Sequence, residues 1–164
     1  MYNFVVSAES KPALYSDLLS ALDALTAGEP DAIANMANAA AVIWQYLPDL
    51  NWAGFYRLVG AEDRGELVLG PFQGKAACIR IPIGKGVCGT AAATRQTQLV
   101  ADVHAFPGHI ACDAASRSEL VVPILAGDRL LGVLDLDSPL AGRFDVEDAA
   151  GCEAIAQLLG RRLT

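Results

Sequence analysis

The stretch ELVVPILAGDRLLGVLDLDS, Glu119 to Ser138, decides how this chain folds. Two runs rich in branched apolar residues, Glu119 to Leu125 and Arg129 to Asp135, flank Ala126-Gly127-Asp128, so the stretch reads as a β-hairpin. Alternate side chains of a strand point to opposite faces. Leu134 and Leu136 therefore face a core, while Asp135 and Asp137 share the other face. Like charges so placed repel unless they share a cation or a proton. A solvated strand end and an acidic pocket both fit this pattern.

Upstream of the hairpin, Trp52 to Val59, Glu66 to Gly70, Ala77 to Ile83 and Gln98 to Ala101 also read as strands, with a short helix at Val87 to Thr94 after Gly84-Lys85-Gly86. In the first of these, Trp52, Gly54 and Tyr56 share one face, as either core or pocket wall. Towards the N-terminus, Ser10-Lys11-Pro12 is a helix start, and Leu14, Leu18, Leu22 and Leu25 follow at helical spacing. A second helix, nearly apolar throughout, spans about Asp31 to Leu47 and stops at Pro48. At the other end Asp145 caps a helix ending near Arg162, with Asp148 in the capping-box position. Helices, then strands, then a closing helix predict an α+β fold: one mostly antiparallel central sheet with the N- and C-terminal helices packed on it.

At 164 residues and 53% hydrophobic composition, the chain suits a single domain with a sizeable core. The net charge is −7 with scattered Lys and Arg, which argues against nucleic acid and anionic membranes as partners. No window is long and apolar enough to span a bilayer, and the N-terminus does not resemble a signal peptide. A cytoplasmic location is expected, where four widely spaced cysteines rest as thiols.

Those cysteines separate by context. Cys152 falls on the core side of the last helix and reads as a small buried hydrophobe. Cys78 begins a strand, and Cys88 lies in the first turn of the short helix, where the helix dipole favours a thiolate. Cys112 sits in the non-periodic segment Val103 to Ser118, among Gly108, Ala111, Ala114 and Ala115, whose backbone could approach a ligand closely. An ordinary loop cysteine and a nucleophile both remain open at Cys112. His104, His109 and Cys112 are close in sequence, but no second pair at zinc-site spacing accompanies them, so neither metal nor cofactor is expected.

Four motifs, NWAGFY (51–56), LVLGPFQGKAACIRIPIGKGVCGTA (67–91), DVHAFPGHIACDAASRSELVVPI (102–124) and GVLDLDSP with GRFDVED (132–148), resemble the free methionine-(R)-sulfoxide reductases, enzymes built on a single GAF domain. The resemblance covers about 51–148 and implies one GAF domain over 1–164, with the active-site loops on the sheet face opposite the terminal helices. It implies that Cys112 attacks the sulfoxide and that Cys88 and Cys78 resolve the oxidised intermediate. Glu119, Asp135 and Asp137 match the family's substrate-pocket acids, and Trp52 and Tyr56 its aromatic wall. Cys152 has no counterpart among the motifs. Free methionine sulfoxide as substrate, thioredoxin as reductant and a homodimer follow as expectations. A non-catalytic GAF sensor of small molecules and a thiol redox switch are the alternatives, because the fold alone does not fix function.

Overall fold

The computed structural model describes residues 4–6, 9–61, 64–108 and 113–163. Two helices lead, α1 (Lys11–Thr26) and α2 (Ala32–Tyr46). Strands β1 (Trp52–Val59), β2 (Glu66–Gly74) and β3 (Arg80–Pro82) follow, then α3 (Gly86–Thr94) and β4 (Gln98–Val100). The hairpin β5 (Ser118–Ala126) and β6 (Arg129–Ser138) precedes α4 (Val146–Arg162). The six strands form one sheet in the order β3-β2-β1-β6-β5-β4, with every adjacent pair antiparallel.

Period-two alternation divides the core into two layers. Ala53 and Phe55 of β1, Leu120, Val122 and Ile124 of β5, and Leu134 and Leu136 of β6 pack against α1, α2 and α4. Their neighbours Trp52, Tyr56, Val121 and Val133 face the opposite layer, which α3 covers with Val87, Cys88, Ala91 and Ala92. The expected α+β arrangement holds, and α3 stands among the loops on the second face. Its close seating depends on Gly89, where a Cβ would lie 2.5 Å from the Pro82 carbonyl oxygen.

Two expected boundaries move. The second strand runs on from Gly70 to Gly74, because β1 continues to pair with it beyond a register shift between Gly54 and Tyr56. Cys78 does not begin a strand; it lies in the irregular segment before β3, outside the ladder. Both depend on which partner strand is available, which local propensity does not encode.

The terminal helices are locked by one buried acid. Asp148, whose side chain is 1% exposed, accepts from the Tyr15 hydroxyl at 2.9 Å, from Lys11 at 2.6 Å and from Arg143 at 3.2 Å to both oxygens. It also completes the capping box of α4 with Asp145. Cys152 is fully buried beside this network, 3.8 Å from the Tyr15 hydroxyl, and burial pushes its thiol up to about 12. That is a packed structural cysteine, as expected.

Removing one partner of a buried ion pair costs about 3–5 kcal/mol, because it strands the opposite charge. We therefore expect Asp148→Ala to lose about that much stability in urea unfolding. A loss under about 1 kcal/mol, the range of exposed pairs, would contradict the buried network.

Candidate active site

Strand register assembles the site. Across β1, β6 and β5, Trp52 pairs with Asp137 and Asp137 with Glu119; in the next row on the same face, Gly54 pairs with Asp135 and Asp135 with Val121; then Tyr56 pairs with Val133. Two steps along each strand return to the same face, so these rows build one surface of three acids beside two aromatic rings. Opposite stand α3 and the segment Lys75–Ala77. Together they enclose a narrow pocket with Trp52, Tyr56, Cys88, Glu119, Asp135 and Asp137 in its lining.

The aromatic wall is fixed from both ends. The Trp52 indole stacks between Phe72 at 5.2 Å and Tyr56 at 5.8 Å. It can do so because residue 54 is glycine: a Cβ there would come within 2.8 Å of the indole and 2.3 Å of the Phe72 Cβ. Trp52 Nε1 donates to the Lys75 carbonyl at 3.1 Å, and the Tyr56 hydroxyl donates to the Cys78 carbonyl at 3.0 Å. These bonds hold the Lys75–Cys78 segment over the pocket, so the half-buried Cys78 thiol is carried by a tethered backbone.

The floor is acidic and largely dry. Glu119 and Asp135 are buried, at 6% and 5% exposure, and Asp137 is half-buried. Burial first, and Glu119 second, push the Asp135 carboxyl well above the usual carboxylate range, partly offset by a hydrogen bond from the Cys88 thiol. Asp137 is likewise raised, by burial and by Asp135, against a hydrogen bond from Ser116. Among the described residues, Asp135 Oδ1 is buried without a hydrogen-bond partner. A buried acceptor left open at a pocket is unfavourable until a donor arrives.

The expected helix-terminus effect on Cys88 is overturned. Its thiol does lie in the first turn of α3, but burial and the neighbouring Asp135, Glu119 and Asp137 push it well above its ordinary value. Taking a thiolate out of water beside carboxylates outweighs a partial helix charge. Cys88 is held as a neutral thiol.

Cys112 and His109 lie outside the described residues. The chain immediately after Cys112 is anchored, however. Asp113 lines the pocket and accepts from Lys75 at 3.1 Å, from Asn51 Nδ2 at 3.3 Å and from the Ala115 amide at 3.0 Å. The Ala115 amide first, then Lys75, lower its carboxyl below the ordinary value. Asn51 also bonds the Ser116 hydroxyl at 3.0 Å. His104 is exposed on a turn of 3₁₀-helix whose start Asp102 caps, and it takes no part in the pocket lining. Sequence reading overlooked Asn51, Lys75 and Ser116; the only signal was their place inside or beside the quoted motifs.

The raised acids set a sign for stability against pH. The folded state holds the Asp135 and Asp137 protons above 3.8, where the unfolded chain begins to release them. Their contribution is complete below that value and is lost as pH rises through their elevated folded values. Asp135→Asn should therefore gain melting temperature relative to the unmutated chain over the range in which pH climbs above 3.8. Parallel melting curves across that range would contradict a raised Asp135.

Comparison with known proteins places this geometry. The GAF domain family model matches residues 31–163. The free methionine-R-sulfoxide reductase of Escherichia coli is 53% identical, over 91% of this chain and 88% of its own. The enzyme of that name from Saccharomyces cerevisiae is 44% identical, over 93% and 87%. The X-ray structure of the free methionine-R-sulfoxide reductase of Neisseria meningitidis in complex with its substrate superposes with a TM-score of 0.93 at 46% identity, covering 99% of this chain and 96% of that one. The chain belongs to the GAF domain family and, within it, to the family of the free methionine-R-sulfoxide reductases.

Proposed function

We propose that this chain reduces free L-methionine-(R)-sulfoxide to methionine with Cys112 as nucleophile. The observation that carries the reading is the acid floor beneath an aromatic wall, with Asp135 Oδ1 unpartnered among the described residues, the Cys88 thiol in the lining, and Cys78 on the segment that follows Ala77 of that lining. The aromatic faces suit the methyl and methylene carbons that flank the sulfoxide, as apolar groups that pack on rings. A protonated carboxyl can donate to the sulfoxide oxygen and make sulfur electrophilic. An ionised one can pair with the free ammonium, which peptide-bound methionine lacks.

In this scheme the Cys112 thiolate attacks sulfur while an acid of the floor supplies a proton to oxygen. The sulfoxide oxygen passes to cysteine, giving methionine and a Cys112 sulfenic acid. A second thiol then attacks that sulfur, forming a disulfide and releasing water, which protects against irreversible oxidation. Cys78 suits the first resolving step better than Cys88. It is half-buried on a tethered segment, whereas Cys88 is buried and held neutral, and a neutral thiol is a poor attacking group. A dithiol such as thioredoxin would then exchange with the disulfide and restore both thiols. A cytoplasmic homodimer completes the proposal, as the setting in which such thiols stay reduced.

Two outcomes test it. Cys112→Ser should fold normally and show no turnover on free methionine-(R)-sulfoxide; substantial turnover would remove the proposed nucleophile. Glu119→Gln, Asp135→Asn and Asp137→Asn should each lower kcat/KM at least about tenfold, about 1.4 kcal/mol of transition-state stabilisation, without large stability loss. Loss of an ammonium partner should fall mainly on KM, and loss of the proton donor on kcat. Unaltered kinetics in all three would refute the pocket assignment even with Cys112 essential.

A further inference from the structure

One cluster in the pocket has a composition beyond what amino-acid binding requires. The Cys88 sulfur and one carboxylate oxygen each from Glu119 and Asp135 all lie within 4.8 Å of one another, and all three residues are buried. The donors come from three different elements, α3, β5 and β6, so their convergence is tertiary and fixed by packing. Asp135 is 5% exposed, and its Oδ1 is buried without a hydrogen-bond partner among the described residues. Asp137, on the same strand face as Asp135 and beside Glu119, adds a third carboxylate to the lining.

We propose that Cys88, Glu119 and Asp135 form a binding site for a zinc-class divalent ion, which occupies the pocket floor when Cys88 is reduced and releases the Cys88 thiol proton to solvent as it binds. In a tetrahedral zinc site, bonds of about 2.3 Å to sulfur and about 2.1 Å to oxygen separate the donors by roughly 3.4–3.6 Å. The cluster needs only side-chain adjustment of about an ångström to reach that spacing. One sulfur and two oxygens match a borderline-soft ion better than calcium or magnesium, which select all-oxygen sets. Three protein donors leave a coordination position towards the pocket mouth. The ion would take the place of the substrate ammonium and act as a competitive inhibitor of the reduced enzyme. That competition rests on the proposed reductase function; the binding does not.

The test uses Cd²⁺, whose bond to a thiolate gives an ultraviolet charge-transfer band. It is added to the full chain carrying Cys78→Ser and Cys112→Ser, which leaves Cys88 and Cys152 as the thiols; Cys152 is sealed in the core. The expected result is saturation at one Cd²⁺ per chain, with the band and a rise in melting temperature appearing together. Asp135→Asn and Glu119→Gln in that background should each weaken binding at least tenfold, since loss of even an outer-shell partner costs roughly 10–100-fold. Both keep Cys88, so they decide the matter even if Cys88→Ser is poorly folded. Added methionine sulfoxide should raise the apparent Kd for Cd²⁺, and Zn²⁺ should displace it. No band, a band that survives Cys88→Ser, or affinity indifferent to both carboxylate changes would overturn the site. A reductase that fails to turn over but still binds Cd²⁺ in this way would refute the function and leave the site standing.

Discussion

Three carboxylates on one face of a sheet, two of them buried, are the constraint around which this molecule is arranged. Taking a charge out of water is strongly unfavourable unless it is paired, hydrogen-bonded or neutralised by a proton. The chain tolerates the arrangement because the same strands bury Leu120, Val122, Leu134 and Leu136 on their other face, against three helices. The two faces are inseparable. A slip of one residue in the register of β5 against β6 would turn Asp135 and Asp137 into the helical core and the leucines into the pocket. Register is therefore held by the leucines, and the acids are carried to the pocket as a consequence. Protonation, the Cys88 thiol and the Ser116 hydroxyl then relieve part of the repulsion that remains.

Much of this could be read before any coordinates. Alternation in Glu119–Ser138 sufficed for the hairpin and for the shared face of Asp135 and Asp137, because both are properties of a single strand. Asp145 and Asp148 announced the start of α4, since a capping box is local. What stayed hidden depends on contacts between distant segments. The length of β2 follows from its pairing with β1, and the state of Cys88 follows from where α3 lands on the acid face. Helix position alone pointed Cys88 towards a thiolate, and burial reversed it. Likewise, Lys75 and Asn51 meet Asp113 only after the chain has folded back across the pocket.

The cysteines show how one residue type is divided among tasks by environment. Cys152 sits in a dry helical layer where burial suppresses its acidity, and its surroundings are apolar apart from the Tyr15–Asp148 network. Cys88 is equally buried, but against carboxylates, so it becomes part of their hydrogen-bonding and a donor aimed at whatever they bind. Cys78 is tethered through its own carbonyl to Tyr56, on the segment whose other end Trp52 holds. A thiol that must reach a neighbouring sulfur is best placed on backbone that is positioned but not packed. Cys78, half-buried against the α3 layer, comes nearer to that condition than the buried Cys88 and Cys152.

The aromatic wall and the acid floor also divide the work of recognition. An acid floor by itself would accept any small cation, and a zinc-class ion meets its demand for charge as well as an ammonium does. Discrimination in favour of the proposed sulfoxide-bearing amino acid would then come from the part of the ligand that an ion lacks. Trp52, stacked between Phe72 and Tyr56, offers a rigid apolar surface at a fixed distance from the acids. Its position depends on the absence of a side chain at Gly54, directly beside Asp135 in the sheet. One glycine thus sets the spacing between the aromatic wall and the acid floor. In the proposed function the floor supplies affinity for charge, and the wall adds selectivity.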